Sequence, residues 1–409
     1  MNLHHKLKIV NDPIYGFITI PSRLIFELIE HPYFQRLRRI SQMGMSYLVY
    51  PGAHHTRFHH ALGAMHLMQK AVQVLRLKGV AISEDEEEAL YIAILLHDIG
   101  HGPFSHAMEH SIVDNLSHEH ISLLFMERLN RQFNNRLTFA ILIFKNKYPR
   151  NFLYQLISSQ LDMDRLDYLR RDSFYTGVPE GAINSERLIT MLNVVDDNLV
   201  VEEKAIYSVE KFIVARRLMY WQVYLHKTSL VAEQLLVRVL KRAKELTLQG
   251  VELPASDSLL FFLKNAVSID RFSDDMLATF ADLDDYDIVS ALKSWVKVDD
   301  YVLQNLSKMI LNRDLLKIKL KKKPFSQDRI NKERKEFINK HNLSEGDASY
   351  FVFTGQIFNQ AYNMDQETIN LLTNRGKVID VARASDQLNL KALSKKVVKY
   401  YLCYPKSNY

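Results

Sequence analysis

Residues 83–106 read SEDEEEALYIAILLHDIGHGPFSH, and the fold is read outward from this stretch. Ser83 followed three residues later by Glu86 has the spacing of a capping box, in which each side chain satisfies a backbone N–H that the first helical turn leaves without a partner. The acids from Glu84 to Glu88 suit the positive end of a helix macrodipole. Apolar residues then run from Ala89 to Leu96, and Gly100 and Pro103 end the helix at about His97 or Ile99. A His97-Asp98 pair therefore falls in the last turn, next to a bend that glycine permits.

Helical patterning continues on both sides. Upstream, Leu62, Met65, Met68, Val72 and Leu75 recur at helical spacing between Arg57 and Gly79. Before them, NDPIYGFITIP at 11–21 predicts a short strand or hairpin bounded by prolines. Downstream, the pattern predicts helices over 104–115, 118–131, 153–172 and 209–246, with GVPEG at 177–181 punctuating the last two. VELPASDS, beginning at Val251, reads as a linker, followed by helical segments to about Leu316. KIKLKK, ASYFVFTGQIF, INLLTNRGKVIDVA and VVKYYLCYP then carry the branched and aromatic content of strands, with a turn at Asn374-Arg375-Gly376. The expected architecture is mainly α: a helical bundle over 1–250 and a C-terminal helical, then α+β, subdomain over 251–409.

Composition excludes several classes. In 409 residues there are 13 glycines and 10 prolines, with 47% hydrophobic residues, which argues against disorder and against a turn-rich all-β fold. The single cysteine, Cys403, excludes an internal disulfide, zinc ribbons and CxxC redox chemistry. No apolar run approaches the ~18 residues that a membrane span needs, so a cytoplasmic protein is expected. The net charge is only +6, while residues 317–335 alone hold nine Lys/Arg against two acids. That segment reads either as a solvated face or as a site for a nucleotide, a neighbouring subunit or nucleic acid.

Eleven of the 16 histidines lie between His54 and His120. Histidine is both a metal ligand and a near-neutral acid or base, so this density beside carboxylates suggests metal-assisted hydrolysis. LLHDIGHGPFSHAME at 95–109 is preceded by PGAHHTRFHHALG at 51–63 and followed by SHEH at 117–120 and LDMDRLDYLRRD at 161–172. This arrangement resembles the HD-domain phosphohydrolases, and within them the deoxynucleoside triphosphate triphosphohydrolases (dNTPases), including the branch that joins a sterile alpha motif to an HD domain. The resemblance covers about residues 11 to 245, with no counterpart of the sterile alpha motif.

The resemblance implies metal ligands at His60, His97, Asp98 and Asp164. His60 rather than His59 is preferred because the family histidine follows an arginine, here Arg57, by three residues. Two imidazoles and two carboxylates form a mixed donor set suited to a divalent Fe, Mn, Zn, Ni or Mg ion. The family pattern places His101, His106, Glu109 and His118 as the acid/base and phosphate-contacting group, with His106 chosen as general acid. Glu109 stands where the family usually has aspartate. Asp164, Tyr168 and Asp172 are spaced four and four and so share one helix face. By resemblance Arg165 contacts phosphate, Tyr168 stacks on the deoxyribose, and Asp172 and Gln42 read its hydroxyl. A second stripe is Arg216, Tyr220 and Tyr224, with Lys227 nearby, and Arg216 and Lys227 with Arg57 and Arg165 would hold the polyphosphate. Tyr220 and Leu225 replace a family His and Gln, so base preference does not transfer.

The leading expectation is a metal-dependent dNTP triphosphohydrolase, with possible nucleotide activation and homo-oligomers implied by the family. The alternatives are an HD-type phosphomonoesterase or phosphodiesterase acting on another nucleotide, and a non-catalytic nucleotide or nucleic-acid sensor.

Overall fold

The computed structural model describes residues 8–104, 117–265, 267, 272–364, 368–386 and 393–406. The expected hairpin forms from Lys8–Asp12 and Gly16–Ile20. The Ser83–Glu86 box is closed in both directions and starts the helix Glu84–Leu96, with His97 as its C-cap. Every residue from Ala89 to Leu96 is buried, because this helix lies inside the bundle. It packs on Arg57–Leu77, which in turn packs on Met163–Thr176, so three helices with Arg57–Leu77 in the middle carry the motif residues. The helix His118–Gln132 follows on the other side of the His-Asp turn.

Two expected helices are broken, and the breaks matter for the site. In place of one helix over 153–172 there are two, Asn151–Ile157 and Met163–Thr176. The side chain of Asp162 makes the restart, accepting from Arg165 N at 2.7 Å and from Ser159 N at 2.8 Å. The helix expected over 209–246 is Ile206–Met219, a π-helical turn Tyr220–Tyr224, and a new helix Lys227–Leu248 capped by the His226 side chain. Apolar periodicity runs through both breaks, and it reports which face is buried rather than where hydrogen bonding changes register.

Strands also differ from expectation in one place. Leu192–Val195 and Asn198–Glu202 form a hairpin that the sequence reading did not foresee, turning through Asp196 and Asp197 at φ 48° and 58°. Asn198–Glu202 then pairs in parallel with Asn370–Leu372, which is antiparallel to Val378–Asp380, so this sheet joins strands from both sides of residue 250. The C-terminal strands Lys317–Lys321 and Phe353–Asn359 flank Val397–Tyr404 as expected. In Lys317–Lys321 the lysines alternate outward, and the following helix Gln327–His341 buries only Phe337, so the basic segment is a solvated face of this subdomain.

Long-range polar contacts fix the His-Asp turn. Arg36, fully buried, donates to the carbonyls of Ile99, His101 and Leu283. Asp285 accepts from the backbone of Ser41 and Phe104, at 2.8 and 2.7 Å. Gly100 sits where a Cβ would lie 2.2 Å from Ser122 N and 2.3 Å from the His118 carbonyl, so the absence of a side chain lets the turn press against the next helix. Among the described residues, no helix is long and apolar enough to cross a membrane.

Candidate active site

Local structure points each implied ligand inward. Thr56 caps the helix Arg57–Leu77 in a box with His59, whose Nδ1 lies 2.9 Å from Thr56 Oγ1 and 3.2 Å from its backbone N. His59 is thereby spent on the helix end, while His60 turns into the bundle. His97 Nδ1 donates to the Ile94 carbonyl at 2.6 Å, which leaves Nε2 as the ring's lone-pair nitrogen. Asp98 follows on the bend, and Asp164 stands in the first turn of the helix that Asp162 caps.

These four side chains converge. Asp164 Oδ1 lies 3.1 Å from His60 Nε2 and 3.5 Å from His97 Nε2. Asp98 lies 3.5 Å from His97 Nε2 and 3.8 Å from His60 Nε2. Neither Nε2 atom, each buried, has a hydrogen-bond partner among the described residues. His60, His97 and Asp164 offer ligand atoms close enough to share one divalent ion, and Asp98, beside them, belongs to a second such group with His101 and His118. Burial opposes charge on His60, but Asp164 and Asp167 outweigh it and push the imidazole up to about 10 in the metal-free site. Burial likewise opposes ionisation of Asp98, and His97, Arg57 and His101 reverse this, holding it well below the usual carboxylate range.

A cavity of about 640 Å³ opens from this cluster. Asp98, Asp164, His101, His118 and Arg57 border one end, and Arg57 is ion-paired to Asp98. His101 and His118 stack with ring centroids 3.9 Å apart; burial, then Arg57, keeps His101 neutral by pushing its pKa well below the usual histidine value. Arg165, Tyr168, Asp172, Tyr220, Tyr224 and Gln42 also line the cavity. The Asp164, Tyr168, Asp172 stripe thus faces the cavity as a unit. Arg216 and Lys227 do not line it; Lys227 is exposed at the start of its helix. A π turn over Tyr220–Tyr224 interrupts the four-residue repeat expected of Arg216, Tyr220 and Tyr224. His106 and Glu109 lie outside the described residues.

Several site residues were not singled out from sequence. Asp172 is held from two sides, by His55 Nε2 and by the Tyr224 hydroxyl, each at 2.7 Å. His60 Nδ1 donates to Asp167 at 2.7 Å. Ser229 Oγ is buried, borders the cavity and has no hydrogen-bond partner among the described residues, and the same holds for Oε1 of Gln42, which the sequence had already singled out. His55 and Asp167 both sit inside the quoted motifs, and Asp167 is one helical turn from Asp164; nothing local marks Ser229.

Comparison with known proteins places these residues in context. Residues 57–172 match the HD domain family and residues 183–259 match the HD associated region. The uncharacterized protein YwfO of Bacillus subtilis is 30% identical over 98% of this chain and 92% of its own length. A deoxynucleoside triphosphate triphosphohydrolase SAMHD1 homolog of Dictyostelium discoideum is 33% identical over 54% of this chain and 46% of its own length. The crystal structure of a phosphohydrolase from Bacteroides thetaiotaomicron is 52% identical, covers 98% of this chain and 100% of that one, and superposes with a TM-score of 0.95.

Proposed function

Because the chain belongs to the HD-domain phosphohydrolase family, we propose that it hydrolyses deoxynucleoside triphosphates at the α-phosphorus, releasing deoxynucleoside and intact triphosphate. The observation that carries this reading is a single cavity lined both by the cation-site carboxylates Asp98 and Asp164 and by a sugar-sized group, Tyr168, Asp172 and Tyr224. A phosphohydrolase acting on a substrate without a sugar would have no use for the second group.

When bound by His60, His97, Asp98 and Asp164, a divalent ion polarises a phosphoryl oxygen and acidifies water. The chain's own residues supply the rest. Arg57 and Arg165 border the cavity as cations for the phosphates, each steadied by a carboxylate, Asp98 and Asp162. Asp172, fixed by His55 and Tyr224, offers remaining lone pairs to a deoxyribose hydroxyl. Tyr168 walls the sugar, edge-on to Tyr224 at 6.1 Å. Water adds to the α-phosphorus, the bond to the 5′ oxygen breaks, and that oxygen takes a proton, assigned here to His106.

The test is a panel of the four dNTPs with Mn, Fe, Zn, Ni or Mg, with and without a second nucleotide, followed by chromatography of both products. Deoxynucleoside and triphosphate in equal amounts are expected, and Asp164→Ala is expected to abolish both. Phosphate or pyrophosphate in place of triphosphate would redirect the assignment to another phosphohydrolase reaction.

A further inference from the structure

We propose that Asp12, in the N-terminal hairpin, is a positioning residue for the cation site and acts on His60 through Arg171 and Asp167. This rests on the reading of His60 as a metal ligand. Asp12 Oδ2 accepts from Arg171 Nη1 at 2.7 Å. Arg171 Nε and Nη2 grip the two oxygens of Asp167, each at 2.9 Å. Asp167 Oδ2 accepts from His60 Nδ1 at 2.7 Å, which leaves Nε2 facing Asp164. All four side chains are buried. The match to the HD domain family begins at residue 57, so it assigns nothing to the hairpin.

Each link limits the freedom of the next. The bidentate fork fixes the plane of the Asp167 carboxylate. A fixed carboxylate holds the imidazole in the Nδ1–H tautomer and sets the direction of the Nε2 lone pair. Asp12 joins Asp167 in keeping the buried Arg171 charged, and removing one partner of a buried charge cluster leaves charge uncompensated. Its other oxygen accepts from Ile14 N at 2.8 Å and Tyr15 N at 3.0 Å, so the hairpin turn anchors the chain of contacts. Gly63, one turn beyond His60, provides the room: a Cβ there would lie 2.1 Å from both Arg171 Nη2 and Asp167 Oδ1.

The two ends of this relay can be disturbed separately. Mn²⁺ binding to the metal-free full chain is measured by isothermal titration calorimetry for wild type, Asp12→Asn and Gly63→Ala. Arg170→Gln is the control, since Arg170 touches the same hairpin through the Ile14 carbonyl without joining the relay. Imidazole ¹⁵N shifts of the protein with diamagnetic Zn²⁺ bound report the His60 tautomer, and thermal unfolding reports the fold. Asp12→Asn and Gly63→Ala are expected to weaken Mn²⁺ binding about 10- to 100-fold and to disturb the His60 shifts, with the control near wild type. Should Asp12→Asn fail to fold, Gly63→Ala, which leaves the hairpin unaltered, decides the matter. Wild-type affinity and unchanged His60 shifts in the variants that fold would overturn the relay. Absence of Mn²⁺ uptake by wild type would instead overturn the metal reading, and this inference with it.

Discussion

His59 and His60 are adjacent, chemically identical and put to different uses, because one rotation along a helix separates a cap from a proposed ligand. His59 closes the Thr56 box; His60 faces the cation site. His59→Ala is therefore expected to cost about 1 kcal/mol of stability, the ordinary value of a lost cap, while leaving divalent-ion binding in place. His60→Ala is expected to abolish that binding with less effect on the helix end. Calorimetric titration and thermal unfolding of the two variants separate these outcomes, and equal loss of metal in both would refute the distinction. Cys403 presents the opposite case, a residue whose chemistry is switched off by its surroundings. Burial pushes its thiol up to about 12, with Arg238 offsetting only part. Iodoacetamide at pH 8 should leave native Cys403 unmodified and label it fully in denaturant, as read by mass spectrometry.

At the scale of the element, what matters is where helices restart. Asp162 ends one segment and begins another, and this places Asp164 in a first turn whose backbone direction its neighbour controls. Asp162→Ala removes contacts to the Ser159 and Arg165 N–H groups, an expected loss of about 1–2 kcal/mol. Divalent-ion affinity should fall with it, since the first turn carries the ligand. Retained affinity at reduced stability would mean that Asp164 is held by its ligand partners alone. The π turn Tyr220–Tyr224 does similar work on the opposite wall. Its Tyr224 hydroxyl donates to Asp172, and Tyr220 lies against Tyr224 with ring centroids 5.1 Å apart.

Across the whole molecule, the buried ionisable groups set an acid limit in two stages. Burial lowers the pKa of His31, His66 and His226, so the unfolded chain takes up protons near pH 6.5 that the fold rejects. Stability should fall as the pH drops below about 6.5. Glu86 and Asp300 are pushed up by burial but pulled further down, the first by the Ser83 cap and Arg150, the second by Arg242 and the Leu303 N–H. Their contribution is present above about pH 4 and is lost below it. In the metal-free protein His60 and His97, whose pKa values are raised, act above that window: the fold holds protons that the unfolded chain releases, so stability rises as the pH falls towards about 6.5 and these groups add no further change below it. The decline between pH 8 and 5 should thus be steeper with Mn²⁺ than with chelator, since acid also displaces the ion. Scanning calorimetry across that range tests it; identical slopes in the two conditions would contradict it.

The sequence by itself determined the elements and the ligand candidates that depend on neighbours along the chain. The Ser83–Glu86 box, the His97-Asp98 turn and the Asp164, Tyr168, Asp172 stripe are all set within a few residues, where helical geometry leaves little choice. Only the tertiary structure decided which distant groups hold those residues in place: His55 on Asp172, Asp12 behind Arg171 and Asp167, Arg36 across the His-Asp turn, and Asn370–Leu372 beside Asn198–Glu202. Such pairings join residues up to hundreds of positions apart. Periodicity records which face of an element is buried and carries no information about the partner it is buried against, which packing and the satisfaction of buried charge select.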